Sequence, residues 1–149
     1  MKIGGTVGEI LRTKGATVWS IPPTTTVFDA IKCMADRDVG ALPVVDGNQV
    51  VGILSERDYT RKVVLQGKSS KQTSVGEIMS RDPQIATPNS TVEECMALMT
   101  QKRVRHLPVV ADGKLVGIVS IGDLVKWTIS AQDAALKQME NYISGSYYA

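Results

Sequence analysis

Residues 26–58 and 91–123 spell one pattern twice, 65 positions apart, with 13 of 33 aligned residues identical. A chain of 149 residues duplicated in this way is two copies of one small unit, and such a unit buries too little apolar face to be stable alone. The two copies are therefore expected to pack on each other. The identities are concentrated. Residues 39–45 read V-G-A-L-P-V-V and residues 104–110 read V-R-H-L-P-V-V. After turns at Asp46-Gly47-Asn48 and Asp112-Gly113 the copies continue V-G-I-L-S-E-R-D over 51–58 and V-G-I-V-S-I-G-D over 116–123. Asp-Gly turns between β-branched runs signal hairpins.

Each copy opens with a short helical turn, at 7–11 and 75–79, followed by an extended stretch ending near Pro23 or Pro88. A helix comes next. Val27, Ala30, Ile31, Met34 and Ala35 recur at helical steps in the first copy, as do Val92, Cys95, Met96 and Met99 in the second. Strands follow at about 42–45 and 50–54, and at 107–110 and 115–119, the second of each pair running into another helix. The expected architecture is α/β (α+β): tandem repeats, each β-α-β-β-α, at 7–65 and 75–128, joined by a Ser-, Lys- and Gln-rich linker at 66–74. An extra C-terminal helix and tail occupy 129–149, the helix running from Ala131 to about Ser144 with Ser130 and Asp133 as its cap and Gly145 as its stop.

Composition narrows the function classes. Seventeen Lys and Arg against 15 Asp and Glu leave a net charge of +2, too balanced to mark a nucleic-acid binder. No apolar run approaches the roughly 20 residues that span a bilayer, and the N-terminus lacks a signal peptide's apolar segment, so a cytoplasmic location is expected. Cys33 and Cys95 do not align with each other in the repeat and fall in the apolar phase of helices, which makes them core residues rather than a disulfide or metal site. The methionines read as core filler, and Trp19 and Trp127 as core or interface anchors. With one histidine, no Ser-His-Asp or Cys-His arrangement and no Walker loop, neither catalysis nor a metal is expected.

The strand L-P-V-V, the turn, the strand G-h-h-S (h apolar) and the Asp three residues after that Ser resemble the CBS domain, named for cystathionine beta-synthase. Two copies in tandem are similar to the CBS pair, or Bateman module, over about residues 7–128. The resemblance implies two units related by a pseudo-twofold axis with two clefts between them. It also implies a sensor of adenosine ligands (AMP, ADP, ATP, NAD or S-adenosylmethionine), a homodimer, and signalling to an unidentified partner protein without catalysis. The alternative is a ligand-free module for dimerisation or partner docking, with the C-terminal helix and Tyr142, Tyr147 and Tyr148 at the interface.

Residue chemistry agrees with such a ligand. Ser55 and Ser120 stand where a strand hands over to a helix, beside free backbone N–H groups at a positive helix end that suit a phosphate. Asp58 and Asp123 carry acceptor-only carboxylates, to which the resemblance assigns the two ribose hydroxyls. Strands bearing Val39, Ala41, Leu42 and Pro43, or Val104, Leu107 and Pro108, offer apolar walls for adenine. Arg105 and His106 add phosphate-binding donors to the second copy, where Gly40 and Ala41 add none to the first. The resemblance further implies Ser20, Ile21, Ile85 and Thr87 on the extended stretches, and Arg57 beside Asp58. Bland readings coexist with these. Ser-x-x-Asp is also a helix capping box, of the kind seen at Thr6/Glu9 and Thr91/Glu94, and one helix end can both cap and bind. His106 is equally a packing residue, and Arg57 with Arg61 a solvated face.

Overall fold

The computed structural model describes residues 4–15 and 17–148. In the first repeat, α1 (Val7–Lys14) precedes α2 (Val27–Arg37), the hairpin β1 (Ala41–Asp46) and β2 (Gln49–Ser55), and α3 (Glu56–Tyr59), which widens into a π-helical turn at Thr60–Val64. The second repeat has α4 (Val75–Ile78), a two-residue strand β3 (Ser80–Arg81), α5 (Val92–Lys102), the hairpin β4 (His106–Ala111) and β5 (Lys114–Ser120), and α6 (Ile121–Tyr148). Both hairpins are antiparallel, with the same bulge, between Val44 and Val45 and between Val109 and Val110. The duplication thus extends to backbone irregularities.

The helices form where expected and are capped by the residues that signalled them. Thr26 and Thr91 accept backbone N–H groups from Asp29 and Glu94, and the apolar stripe of each helix lies against its hairpin. Cys33 and Cys95 are free thiols within these stripes. The opening strand of each repeat is reduced to one parallel bridge, Ile21 to Val44 and Ala86 to Val109. Pro22 and Pro23 follow Ile21 directly, and Thr87 donates its N–H to Ser90 Oγ with Pro88 next, so neither ladder can continue.

The opening helices are exchanged between the repeats. Val7 and Ile10 are buried with Leu107, Val109, Val119 and Leu124 of the second repeat, while Val75, Ile78 and Met79 are buried with Val27, Leu42, Val44 and Leu54 of the first. Matching backbone bonds seat them: Gly8 N–H donates to Pro88 O at 2.9 Å, and Gly76 N–H to Pro23 O at 2.8 Å. The glycine of each V-G-I strand makes room for the visitor. A Cβ at Gly52 would stand 2.6 Å from Met79 Sδ, and one at Gly117 would stand 2.7 Å from a Leu11 methyl.

Two expectations are corrected, a separate C-terminal helix and a core position for Trp19. The C-terminal helix is the continuation of the helix that begins at Ile121, and it runs through Ser130 and Gly145; Thr128 bonds back to Leu124 O, and nothing between 121 and 131 interrupts the backbone. The 66–74 segment is docked on the start of α2, with Thr73 O and Ser70 O accepting the Val27 and Phe28 N–H groups. Trp19 lies on the surface beneath the Arg37 guanidinium, 3.5 Å from its ring centroid, whereas Trp127 packs on the second core as expected. Tyr147 and Tyr148 lie outside the residues whose side chains are described. No described helix is long and apolar enough to cross a membrane.

Candidate functional site

Both strand-to-helix junctions close as capping boxes. At the first, Ser55 N–H and Oγ–H donate to Asp58 Oδ2 at 3.0 and 3.1 Å, and Asp58 N–H donates to Ser55 Oγ at 3.2 Å. At the second, Ser120 N–H donates to Asp123 Oδ2 at 2.8 Å and Asp123 N–H to Ser120 Oγ at 3.1 Å. Hydrogen-bonded boxes are what a helix start requires. Beyond that common frame the two junctions diverge.

Asp58 is 7% exposed, and its second oxygen, Oδ1, accepts from Ser80 Oγ at 3.2 Å and faces Lys62 Nζ at 3.0 Å. Lys62 sits in the π-helical turn one turn beyond Asp58, and its ammonium also donates to Ile78 O. A cleft of about 700 Å³ opens here between the repeats, within the usual size of small-molecule sites. The first repeat supplies Gly40, Ile53, Ser55, Glu56, Arg57, Asp58, Arg61 and Lys62; Ser80 to Gln84 and Lys102 to His106 come from the second. Seven lysines and arginines line it against three carboxylates, so the cleft is far more positive than a chain of net charge +2 requires. Such a cleft concentrates anions.

At the second junction Lys14, at the end of the exchanged α1, reaches across to Asp123 Oδ2 at 2.8 Å and donates to Ile118 O at 3.0 Å. The corresponding helix α4 stops at Ile78 and its chain turns into β3, leaving the first cleft open. Burial favours the neutral Asp123 carboxyl, but the hydrogen bonds from Lys14 and Ser120 outweigh it and hold the group below its ordinary range. A tethered cation already occupies this carboxylate.

Of the predicted residues, Gly40, Ser55, Arg57, Asp58, Val104, Arg105 and His106 meet in the first cleft. Arg105 and His106 therefore line the cleft at the first repeat's junction while staying beside their own: a Cβ at Gly40 would be 3.8 Å from His106 Nε2, and His106 pairs with Ser120 across its hairpin. Burial and the nearby Lys14 lower the His106 pKa, so the imidazole is neutral near pH 7 and offers a hydrogen bond, not a charge. Leu42 and Leu107 face the two cores, Ala41, Pro43 and Pro108 are buried, and Val39 packs against the first core. Ile21 is buried, Ser20 and Ile85 are exposed, and Thr87 holds Ser90; none of these lines the first cleft, nor do Ser120 and Asp123. Lys62, Ser80, Arg81, Lys102 and Arg103 were not anticipated. The run Lys102-Arg103-Val104-Arg105-His106 carried a legible signal as a basic cluster at a helix end.

The CBS-domain profile matches residues 7–65 and 75–130. The chain belongs to the CBS-domain family. CBSX3, a mitochondrial CBS domain-containing protein of Arabidopsis thaliana, is 41% identical over 152 residues, covering 95% of this chain and 73% of the relative. A protein with CBS domains from Burkholderia ambifaria MC40-6 has a solved structure that superposes with a TM-score of 0.81 at 51% identity, over 85% of this chain and 95% of that one. A crystal structure of CBSX2 in complex with AMP superposes with a TM-score of 0.69 at 29% identity, over 87% and 99%. CBS domains are regulatory modules, and the tandem repeat architecture of this chain is theirs.

Proposed function

We propose that this chain is a sensor that binds one adenosine nucleotide in the first cleft and relays its occupancy to a partner protein without chemistry of its own. One observation carries the reading. The Ser55–Asp58 junction of one repeat and the Arg105–His106 strand start of the other line a single cleft of nucleotide size, with a surplus of positive charge for phosphate. The AMP held by the related CBSX2 supports the same ligand class. In this reading Asp58 Oδ1 takes the ribose hydroxyls by exchanging its bonds to Ser80 and Lys62, which frees the Lys62 ammonium for phosphate. Arg57 and Arg105 take the phosphate, and Gly40 and Val104 face the base. The second junction is left out of this reading because Ser120 and Asp123 do not line the cleft, and the nucleotide acts as an effector that needs no metal.

Calorimetry with AMP, ADP, ATP, NADH and S-adenosylmethionine tests this reading on the wild type and on Asp58→Asn. A sensor of abundant nucleotides needs micromolar to millimolar affinity, roughly 4–8 kcal/mol. We expect one equivalent to bind the wild type and affinity to fall on Asp58→Asn. Silence from all five ligands refutes the proposal.

A second reading, self-association, rests on α6. Val125, Ile129, Leu136, Met139 and Ile143 are each at least 46% exposed and follow steps of four, seven, three and four residues, the seven-residue step having Gln132 at its intermediate position. That is a heptad seam, which fits the same seam on a second copy. A cytoplasmic homodimer joined along α6 is the assembly proposed.

A further inference from the structure

The Asp58 carboxylate is fully engaged before any ligand arrives. Oδ2 accepts from Ser55 N–H and Oγ–H, and Oδ1 accepts from Ser80 Oγ and faces Lys62 Nζ at 3.0 Å. A carboxylate offers about four lone-pair positions, so a hydroxyl group can reach this one only by displacing a donor. Ser55 N–H is held there as the helix cap. Lys62 is the donor that can leave, because its side chain is 44% exposed and its ammonium rehydrates on departure.

Lys62 also holds a second element. Its ammonium donates to Ile78 O at 3.0 Å, one of the last carbonyls of the four-residue helix α4, which has no further turn to satisfy it. Beyond α4 the chain becomes β3, whose ladder on β2 has only the pairs Gly52–Arg81 and Ile53–Ser80, and then Asp82 to Gln84 of the cleft wall. One side chain thus ties the first repeat's junction to the opening segment of the second.

The turn that carries Lys62 is built differently from its counterpart. Leu65 N–H donates to Thr60 O, five residues back, at 3.0 Å, and Thr60–Val64 is π-helical. Such turns are rare and concentrate at functional sites. In the other copy the position of Lys62 is Trp127, which lies within the α-helix Ile121–Tyr148 and donates to Gly4 O. Asp123 there takes its ammonium from Lys14 on α1. The repeat therefore folds without a lysine one turn beyond its Asp and without the widened turn.

We propose that Lys62 is an autoinhibitory contact: it competes with a ligand's hydroxyl groups for Asp58, and its displacement loosens the α4–β3 corner, which carries the occupancy of the cleft to the second repeat. The inference rests on the reading of the first cleft as a nucleoside site and adds how that site is regulated.

Calorimetry with adenosine and with AMP tests the competition on the wild type, on Lys62→Met, which keeps the aliphatic stem, and on Lys62→Arg, which keeps a cation. Removing a half-exposed competing charge should tighten adenosine about two- to fivefold in Lys62→Met, while Lys62→Arg stays within about twofold of the wild type. Hydrogen exchange over residues 75–81 reads the relay separately from affinity. It should quicken at least about twofold when AMP saturates the wild type, and ligand-free Lys62→Met should already show the faster rate. AMP binding with adenosine no tighter in Lys62→Met, or equal gains in the Met and Arg variants, overturns the competition and leaves the cleft reading standing. AMP binding that leaves exchange over 75–81 unaltered overturns the relay. Silence from both ligands in all three proteins refutes the cleft reading and this inference together.

Discussion

Removing the Asp58 carboxylate should cost the ligand-free protein roughly 2–3.5 kcal/mol. Asp58→Ala deletes an acceptor that holds four groups: the N–H and hydroxyl of Ser55, the hydroxyl of Ser80 and the ammonium of Lys62. These losses are unequal. Ser55 N–H is an orphan donor at a helix start, and losing its half of a capping box costs about 1–2 kcal/mol. Ser80 is half-buried and can turn its hydroxyl to water, which limits its share to about 0.5 kcal/mol. A buried charge pair broken from one side costs about 3–5 kcal/mol, but the Lys62 side chain is 44% exposed and can rehydrate, so about 0.5–1 kcal/mol is the appropriate figure. For a chain of this size the total corresponds to a Tm lower by roughly 5–10 °C. Urea denaturation of the ligand-free protein, with Lys62→Met and the double variant completing the cycle, measures each share. A change below about 0.5 kcal/mol for Asp58→Ala would refute the reasoning, because the carboxylate would then not be holding the junction together.

Four other outcomes follow from the same geometry. A Cβ at Gly52 meets Ser80 O at 2.9 Å as well as the flexible Met79, while at Gly117 its three nearest neighbours are the Leu11 methyls and Cγ, so Gly52→Ala should destabilise by about 1–3 kcal/mol and Gly117→Ala by clearly less in parallel melts. Because Asp123 titrates below its ordinary value, the stability it contributes is full above about pH 4 and lost as pH falls through its folded pKa; Lys14→Met should cost roughly 0.5–1 kcal/mol at pH 7, with the difference from wild type shrinking in denaturation at acid pH. The pKa of His106 is lowered by burial and Lys14, with Arg105 adding to the effect and Asp123 opposing it, so a phosphate arriving in the cleft should raise it and draw in a proton. Calorimetry in two buffers of different ionisation enthalpy detects that uptake, and His106→Gln should abolish it. Truncation after Ile129 should lower the mass seen by light scattering if the α6 seam joins two copies, and an unchanged mass rejects it.

The duplicated motif made most of the fold legible, because hairpin turns and helix caps are local chemistry: Thr26, Thr91, Ser55 and Ser120 cap in the structure as their sequence context indicates. The exchange of α1 and α4 was not legible. Nothing local to Val7 or Val75 states which sheet they will cover, since both sheets offer a glycine-floored strand. The site was half visible for the same reason. Ser55 and Asp58 announce themselves by spacing, but that Arg105 and His106 also reach the first repeat's junction was not legible, because sequence proximity does not reveal that the repeats face each other. Lys14 closing one junction depends on α1 being four residues longer than α4, a difference that periodicity alone leaves open. The continuity of α6 was missed because Ser130 and Gly145 signal ends only where the surroundings offer the backbone something better than another helical turn.

Swapped opening helices make each half of this protein a lock whose key is carried by its neighbour. Cutting the chain at the junction would yield two fragments, each with a bare sheet and a helix meant for elsewhere, stable only once reunited. Any push that a bound effector gives to one half is thereby handed to the other through covalent chain as well as contact. A receiver docked far from the cleft therefore has a mechanical route by which to feel it.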